Sequence, residues 1–286
     1  MAIVYDKLMA LGFPDAEVSY EPRDVMLYAL GVGLGQDPLN EDELAFVYEK
    51  NLKVLPTFAS MVGYPGFWLR DMDTGVDWVK VLNGEYEVRL DGALPTAATV
   101  VSHMKIIDVV DKGADKGAVI YTERTTRNKM TGAVLATTRQ SVFCRGDGGF
   151  GGPSRFSPLV HAIPDRAPDR VQDFATRPES ALIYRLSGDY NPLHSEPAIA
   201  KAAGYPRPIL HGLATFGVSG HAVLKTYCGY DPARMASIAG RFSAPVFPGE
   251  TIRTEMWRDG NVVSFRARVA ERDVVAINNG RVEIRE

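Results

Sequence analysis

Cysteine is almost missing from this 286-residue chain: Cys144 and Cys228 are the only two. They show no metal-ligand spacing and are too few for a disulfide framework, which points to a reducing compartment. Positive charge is not in excess either. Lys and Arg number 32 against 35 Asp and Glu, a formal net charge of −3, so no basic stripe exists for a nucleic acid to follow. No stretch approaches ~18 uninterrupted apolar residues, and no membrane span is expected. The opening Met1-Ala-Ile-Val-Tyr-Asp-Lys-Leu8 lacks a charged segment followed by a long apolar run. The closing Glu283-Ile-Arg-Glu286 lacks a Ser-Lys-Leu peroxisomal address. The expectation from these features is a cytoplasmic protein. What is present, 45% hydrophobic and 23% charged residues, suits a globular chain long enough for two domains.

The chemistry concentrates in Tyr184-Arg-Leu-Ser-Gly-Asp-Tyr-Asn-Pro-Leu-His194 and in Ile209-Leu-His-Gly-Leu213. Gly188, Asn191 and Pro192 suit a bend, so Asp189, Asn191 and His194 are expected on a tight connection entering a helix. A carboxylate and an imidazole side by side can order one water and move its protons, titrating as a unit. Alone, each would serve as well to close a turn, and Asn191 has an ordinary turn role open to it. Gly212 stands at the expected start of an apolar helix, where its N–H is free for a carbonyl oxygen that gains negative charge. Simple close packing is the other use of a glycine there.

Other motifs fail on spacing. Gly31-Val-Gly-Leu-Gly35 does not match G-x-G-x-x-G and follows no clear strand. Gly217-Val-Ser-Gly220 brings its second glycine one place too early for a nucleophile elbow. The glycines of 146–152 precede no Lys-Ser/Thr. A metal site would need further ligands near Asp189 and His194, and no H-x-H or H-E-x-x-H pattern supplies them. His221, on an apolar helix face, reads as a core histidine, while His103 and His161 carry no assignment.

Along the chain, residues 23–31 read as helical, and Asn40 with three following acids reads as a helix start. A longer helix is expected within 54–69. Strand-like runs follow at 85–90, 99–110, 118–127 and 134–145. The stretch 146–169, rich in Gly and Pro, reads as a linker. The order then repeats: helix at 178–186, the Asp189 turn, a short helix at 197–203, a long helix at 212–226, and strands at 237–242, 251–257, 262–269 and 274–284. Aligning Tyr28 with Tyr184 and Pro38-Leu-Asn40 with Pro192-Leu-His194 puts Gly33 opposite Asp189 and Asn40 opposite His194. The chain thus reads as two copies of one fold, 1–145 and 170–286, of which the first has lost the acid and the base.

Ser187-Gly-Asp-Tyr-Asn-Pro-Leu-His194, with His211-Gly212 behind it, resembles the hydratase 2 motif of MaoC-like dehydratases, the (R)-specific enoyl-CoA hydratases. Segments 23–31, 53–58, 146–152 and 241–249 resemble the two-hotdog form of the same family. The resemblance implies an α+β double hotdog: two antiparallel sheets, each wrapped around a long helix and joined into one. It also implies reversible hydration of trans-2-enoyl-CoA with Asp189, His194, Asn191 and Gly212 as the working groups. No metal or redox cofactor is implied, coenzyme A being part of the substrate, and a homodimer is. The first half would make room for a long or bulky acyl chain. His211 is then expected to line the pocket, and Lys201 and Arg207 either to meet the coenzyme A phosphates or to be surface charges. Two other readings keep an acyl-CoA ligand: a thioesterase of hotdog fold, and a non-catalytic acyl-CoA-binding protein.

Overall fold

The computed structural model describes residues 3–153 and 160–286. Ten strands form one antiparallel sheet. The first half contributes α1 (Tyr5–Met9), β1 (Ala16–Tyr20), α2 (Pro22–Gly31), α3 (Glu41–Leu44), a 3-10 turn (Pro56–Ser60) and α4 (Trp68–Asp71). Its sheet is completed by β2 (Val81–Leu90), β3 (Ala98–Asp111), β4 (Ala118–Asn128) and β5 (Val134–Cys144). The second half contributes β6 (Arg170–Ala175), α5 (Ser180–Tyr184), α6 (Pro197–Ala202) and α7 (Gly212–Cys228). Then come β7 (Met235–Phe242), β8 (Thr251–Asp259), β9 (Val262–Val269) and β10 (Val274–Ile284).

The sheet runs β1-β3-β4-β5-β2-β7-β10-β9-β8-β6. Numbered within its own half, each set of five has the order 1-3-4-5-2, and the two sets meet antiparallel at their second strands. Tyr86 is paired with Gly240 and Val88 with Ile238 at that seam. The same approximate two-fold brings α2 against α5, where Tyr28 and Tyr184 place their ring centroids 5.8 Å apart. Residues matched in the sequence repeat therefore meet in space.

Local chemistry explains most boundaries. Pro22 opens α2, and Glu21 with Asp24 forms a capping box. Asn40 caps α3 through its side-chain oxygen, as its sequence position suggests, yet that helix lasts only to Leu44. Gly229, in the left-handed region at φ 59°, ends α7. Two expectations need correction. The longer helix foreseen in 54–69 is the 3-10 turn plus the four residues of α4, interrupted by Pro65 and by Gly63 and Gly66 at positive φ. The edge strands β1 and β6 were not foreseen at all.

The main core spans both halves, with Tyr28, Phe58, Val88, Phe216, Ile238 and Phe265 among its members. Helix α7 lies at its centre. A Cβ on Gly217 would stand 2.6 Å from Val32 Cγ1, and one on Gly220 2.7 Å from Thr57 Cγ2. That Gly-Val-Ser-Gly run is a packing face, not a nucleophile turn. A smaller cluster around Trp68, Val109 and Ile120 fills the far end of the first half. The stretch foreseen as a linker is tied to the end of β3, where Asp111 accepts from the N–H groups of Gly149 and Gly151 at 2.7 and 2.8 Å. Residues 154–159 of that stretch lie outside the described residues, and beyond them His161 meets Ser264 Oγ at 2.8 Å.

Candidate active site

The turn after α5 is built by its own sequence. Gly188 has φ 124°, a conformation that favours glycine. Asn191 accepts from the Leu193 N–H at 3.0 Å, shaping the 3-10 turn Pro192–His194 that follows. The Asn191 N–H in turn donates to Asp189 Oδ1 at 3.2 Å and steadies the carboxylate. The Asn191 side-chain oxygen thus shapes the turn, and its amide nitrogen has no partner among the described residues.

His194 is buried, and its Nδ1 lies 2.9 Å from the carbonyl oxygen of Ile209. A carbonyl can only accept, so Nδ1 carries the proton and Nε2 holds the lone pair of the neutral ring. Burial lowers the His194 pKa from its ordinary value, while Asp189 and the Ile209 carbonyl pull it partly back. The ring is therefore neutral and basic at neutral pH.

His211, expected to line the pocket, lies against both Asp189 and His194. Its ring stacks on that of His194, centroids 3.7 Å apart and planes at 28°. Its Nε2 donates to the main-chain oxygen of Asp189 at 3.2 Å, so it touches both members of the acid–imidazole pair. Burial and the neighbouring His194 push its pKa down to about 3. Its Nδ1 is buried without a partner among the described residues.

Asp189, His194 and His211 each offer a ligand atom within 4.8 Å of the others. The third group that a metal site would need is thus supplied in space, though no sequence motif announces it. Two neutral imidazoles and a carboxylate have the chemistry to take a divalent cation, and equally to hold a single water.

Gly212 is the first residue of α7, and its N–H has no acceptor among the described residues. A Cβ there would stand 3.2 Å from the Phe242 ring, so close packing and a free donor coincide. Lys201 and Arg207 are exposed, and among the described residues no hydrogen bond or ion pair joins either to the turn; Arg207 lies over the Phe247 ring at 5.2 Å. The first half supplies Met61, which the motif did not identify. The Tyr184 hydroxyl lies 3.2 Å from Met61 Sδ, and the Tyr184 ring 4.9 Å from that of His211.

Two family models cover the chain. Residues 18–146 match the MFE-2 hydratase 2 N-terminal domain, and 160–280 match the MaoC like domain. The peroxisomal enoyl-CoA hydratase 2 of Arabidopsis thaliana is 41% identical, over 98% of this chain and 95% of that one. A solved MaoC-like dehydratase of Phytophthora capsici superposes with a TM-score of 0.87 at 34% identity, covering 98% of each chain. A Mycobacterium tuberculosis protein described as a double hotdog shares the fold at 14% identity, with a TM-score of 0.56 over 99% of this chain and 98% of that one. The expected architecture is thereby met, except that the first half has a 3-10 turn where a long helix was foreseen.

Proposed function

Because the chain belongs to the MaoC-like dehydratases, with a hydratase 2 N-terminal domain ahead of the MaoC-like one, we propose that it adds water reversibly to trans-2-enoyl-CoA to give (R)-3-hydroxyacyl-CoA. The observation that carries the mechanism is the fixed tautomer of His194 beside Asp189. A neutral imidazole lone pair and a carboxylate can both accept from one water. As the hydroxyl attacks the β-carbon, His194 Nε2 takes the water's proton. That proton is then delivered to the α-carbon on the same face, which leaves the pair as it began. Proton handling of this kind is typically worth ~10²–10⁴-fold.

Negative charge gathers on the thioester oxygen as the β-carbon is attacked. The Gly212 N–H, at the positive end of a 17-residue helix, faces that charge, and such a donor is worth ~3–4 kcal/mol. His211 lines the pocket by holding Asp189 and backing His194. Lys201 and Arg207 take the coenzyme A phosphates from the surface. In this reading 170–286 is the catalytic hotdog and 146–169 the linker. The stretch 1–145 is a non-catalytic hotdog that accommodates a medium, long or bulky acyl group. No metal or redox cofactor takes part.

We also place the chain in the cytoplasm as a homodimer. No helix of the described residues is long and apolar enough to cross a membrane. The Arabidopsis relative is named as peroxisomal, so cell fractionation is the test of location, and light scattering in solution that of the dimer. For the activity itself, the experiment is turnover of crotonyl-CoA and a longer enoyl-CoA with chiral analysis of the product. An (S)-alcohol, or release of free coenzyme A from saturated acyl-CoA in place of hydration, rejects the assignment.

A further inference from the structure

Arg124 is a buried charge that the hydration chemistry leaves unused. It stands on β4 and is 3% exposed. Its Nη2 donates to the carbonyl oxygens of Ala59 and Ser60 at 3.1 and 2.9 Å, with the Tyr86 hydroxyl at 3.5 Å. Nε and Nη1 are buried with no partner at all among the described residues. Every acceptor it has is neutral. A guanidinium stays charged at any working pH, and a buried charge without a counter-charge is strongly unfavourable. Tying down two carbonyls does not require it, since a neutral amide donates as well.

Its surroundings lead back to the reacting groups. Ser60 adjoins Met61, whose sulfur meets the Tyr184 hydroxyl, and Tyr184 packs on His211. Tyr64 lays its ring 5.8 Å from the Arg124 guanidinium carbon. The tyrosine is 41% exposed and sits between Gly63 and Gly66, both at positive φ. A partly exposed ring on such a loop can swing aside and uncover the charge beneath it.

We propose that Arg124 is the polar end of the acyl-group site and receives a carboxylate carried on the far part of the acyl chain, with Tyr64 closing over it. The substrate class is an enoyl-CoA whose acyl group carries an acidic group at its other end. This rests on the hydratase reading above, because only then does an acyl chain run from Asp189 into the first half. A plain alkyl chain would leave the guanidinium without its counter-charge. An internal water on Nε and Nη1 is the competing explanation.

The test uses trans-2-enoyl-CoA substrates in matched pairs, one member ending in methyl and the other in carboxylate, at short, medium and long chain lengths. The wild-type protein is expected to prefer the carboxylate member at one length and to disfavour it at the others. Arg124→Gln should then lower kcat/KM for that member about ten- to hundredfold, the range of a hydrogen bond to a charged group. It should act mainly through KM and leave the methyl member within about twofold. Arg124→Lys should restore part of the loss. Equal loss on both members means a tether or a water and overturns the proposal. So does a carboxylate member that is poor at every length, a wild-type result that stands even if the variants do not fold. Failure of the methyl members too, in the wild type, would instead sink the hydratase reading.

Discussion

Asp189→Asn separates the chemistry of the turn from its architecture. An asparagine keeps an oxygen for the Asn191 N–H, at 3.2 Å in the native protein, and leaves the main-chain oxygen that His211 meets untouched. The fold should therefore survive, and circular dichroism and melting temperature should stay near wild type. What is lost is the negative charge that, in the proposed mechanism, shares the water with His194. We expect kcat for crotonyl-CoA hydration to fall by ~10²–10⁴-fold, or about 2.7–5.5 kcal/mol of transition-state stabilisation, with KM changed little. A second consequence has a definite sign. Burial lowers the His194 pKa, and Asp189 opposes that lowering. Removing the carboxylate lets the pKa fall further, so the acid limb of the residual activity moves to lower pH. Stopped assays across pH 4–8 on the variant and the wild type measure both effects. An undiminished kcat refutes the role of Asp189, and a limb that moves upward refutes the proposed coupling to His194.

Gly212→Pro removes the proposed oxyanion donor at a position whose backbone accepts proline, since His211 already has φ −57° and ψ 136°, but the Phe242 ring, 3.2 Å from a Cβ there, must give way by a few tenths of an ångström. A kcat loss of about 10²–10³-fold with an unchanged circular dichroism spectrum is expected, and wild-type turnover in a folded variant contradicts it. Gly217→Ala gains helix propensity but drives a methyl against Val32 and the Tyr28 hydroxyl, 2.6 and 3.0 Å away. A net destabilisation of about 1–2 kcal/mol follows from overpacking, read as a lower denaturation midpoint. His211 is buried, and burial with the neighbouring His194 pushes its pKa down to about 3. Its unfolded value lies near 6.5, so stability is full above that pH and falls as pH drops from 6.5 toward 3. At about pH 4.5 the loss is on the order of 2–3 kcal/mol. Chemical unfolding at about pH 7 and pH 4.5 checks it, and a His211→Phe variant as acid-sensitive as the wild type argues against the histidine.

The acid–imidazole turn was legible because Gly188, Asp189, Asn191, Pro192 and His194 each have a restricted repertoire, and together they allow little but a tight polar turn. Helix α7 was legible because a long apolar run without proline has few alternatives. The edge strands were not. In β1 and β6 most side chains are exposed or half-buried, so no alternation of burial marks them, and they exist through pairing with β3 and β8 at the two ends of the sheet. The stretch from Val54 to Ser60 failed for the opposite reason. Those residues are buried on every side, so an apolar run that resembles a helix reports burial alone. The contact of His211 with Asp189 joins residues 22 apart. Its only trace in the sequence is a histidine beside the glycine that starts α7.

Replacement of the first long helix by a 3-10 turn has consequences for the whole inner surface of that half. A five-residue turn leaves its final carbonyls without helical donors, and Ala59 and Ser60 are two of these. They accept from Arg124 Nη2, so one guanidinium answers a requirement that a continuing helix would have met from its own backbone. The turn also packs directly on α7, where Gly220 admits Thr57, and Gly217 admits Val32 from the end of α2. A single helix therefore serves both halves as core, and a side chain larger than glycine at either position would push the first half away from Tyr184 and His211. The 3-10 turn thus shapes the inner surface of the first half. In the proposed reaction Asp189, His194 and Gly212 carry the chemistry, and the polar groups of the first half, Tyr64, Tyr86 and Arg124, are where differences in acyl-group preference among chains of this architecture should be encoded.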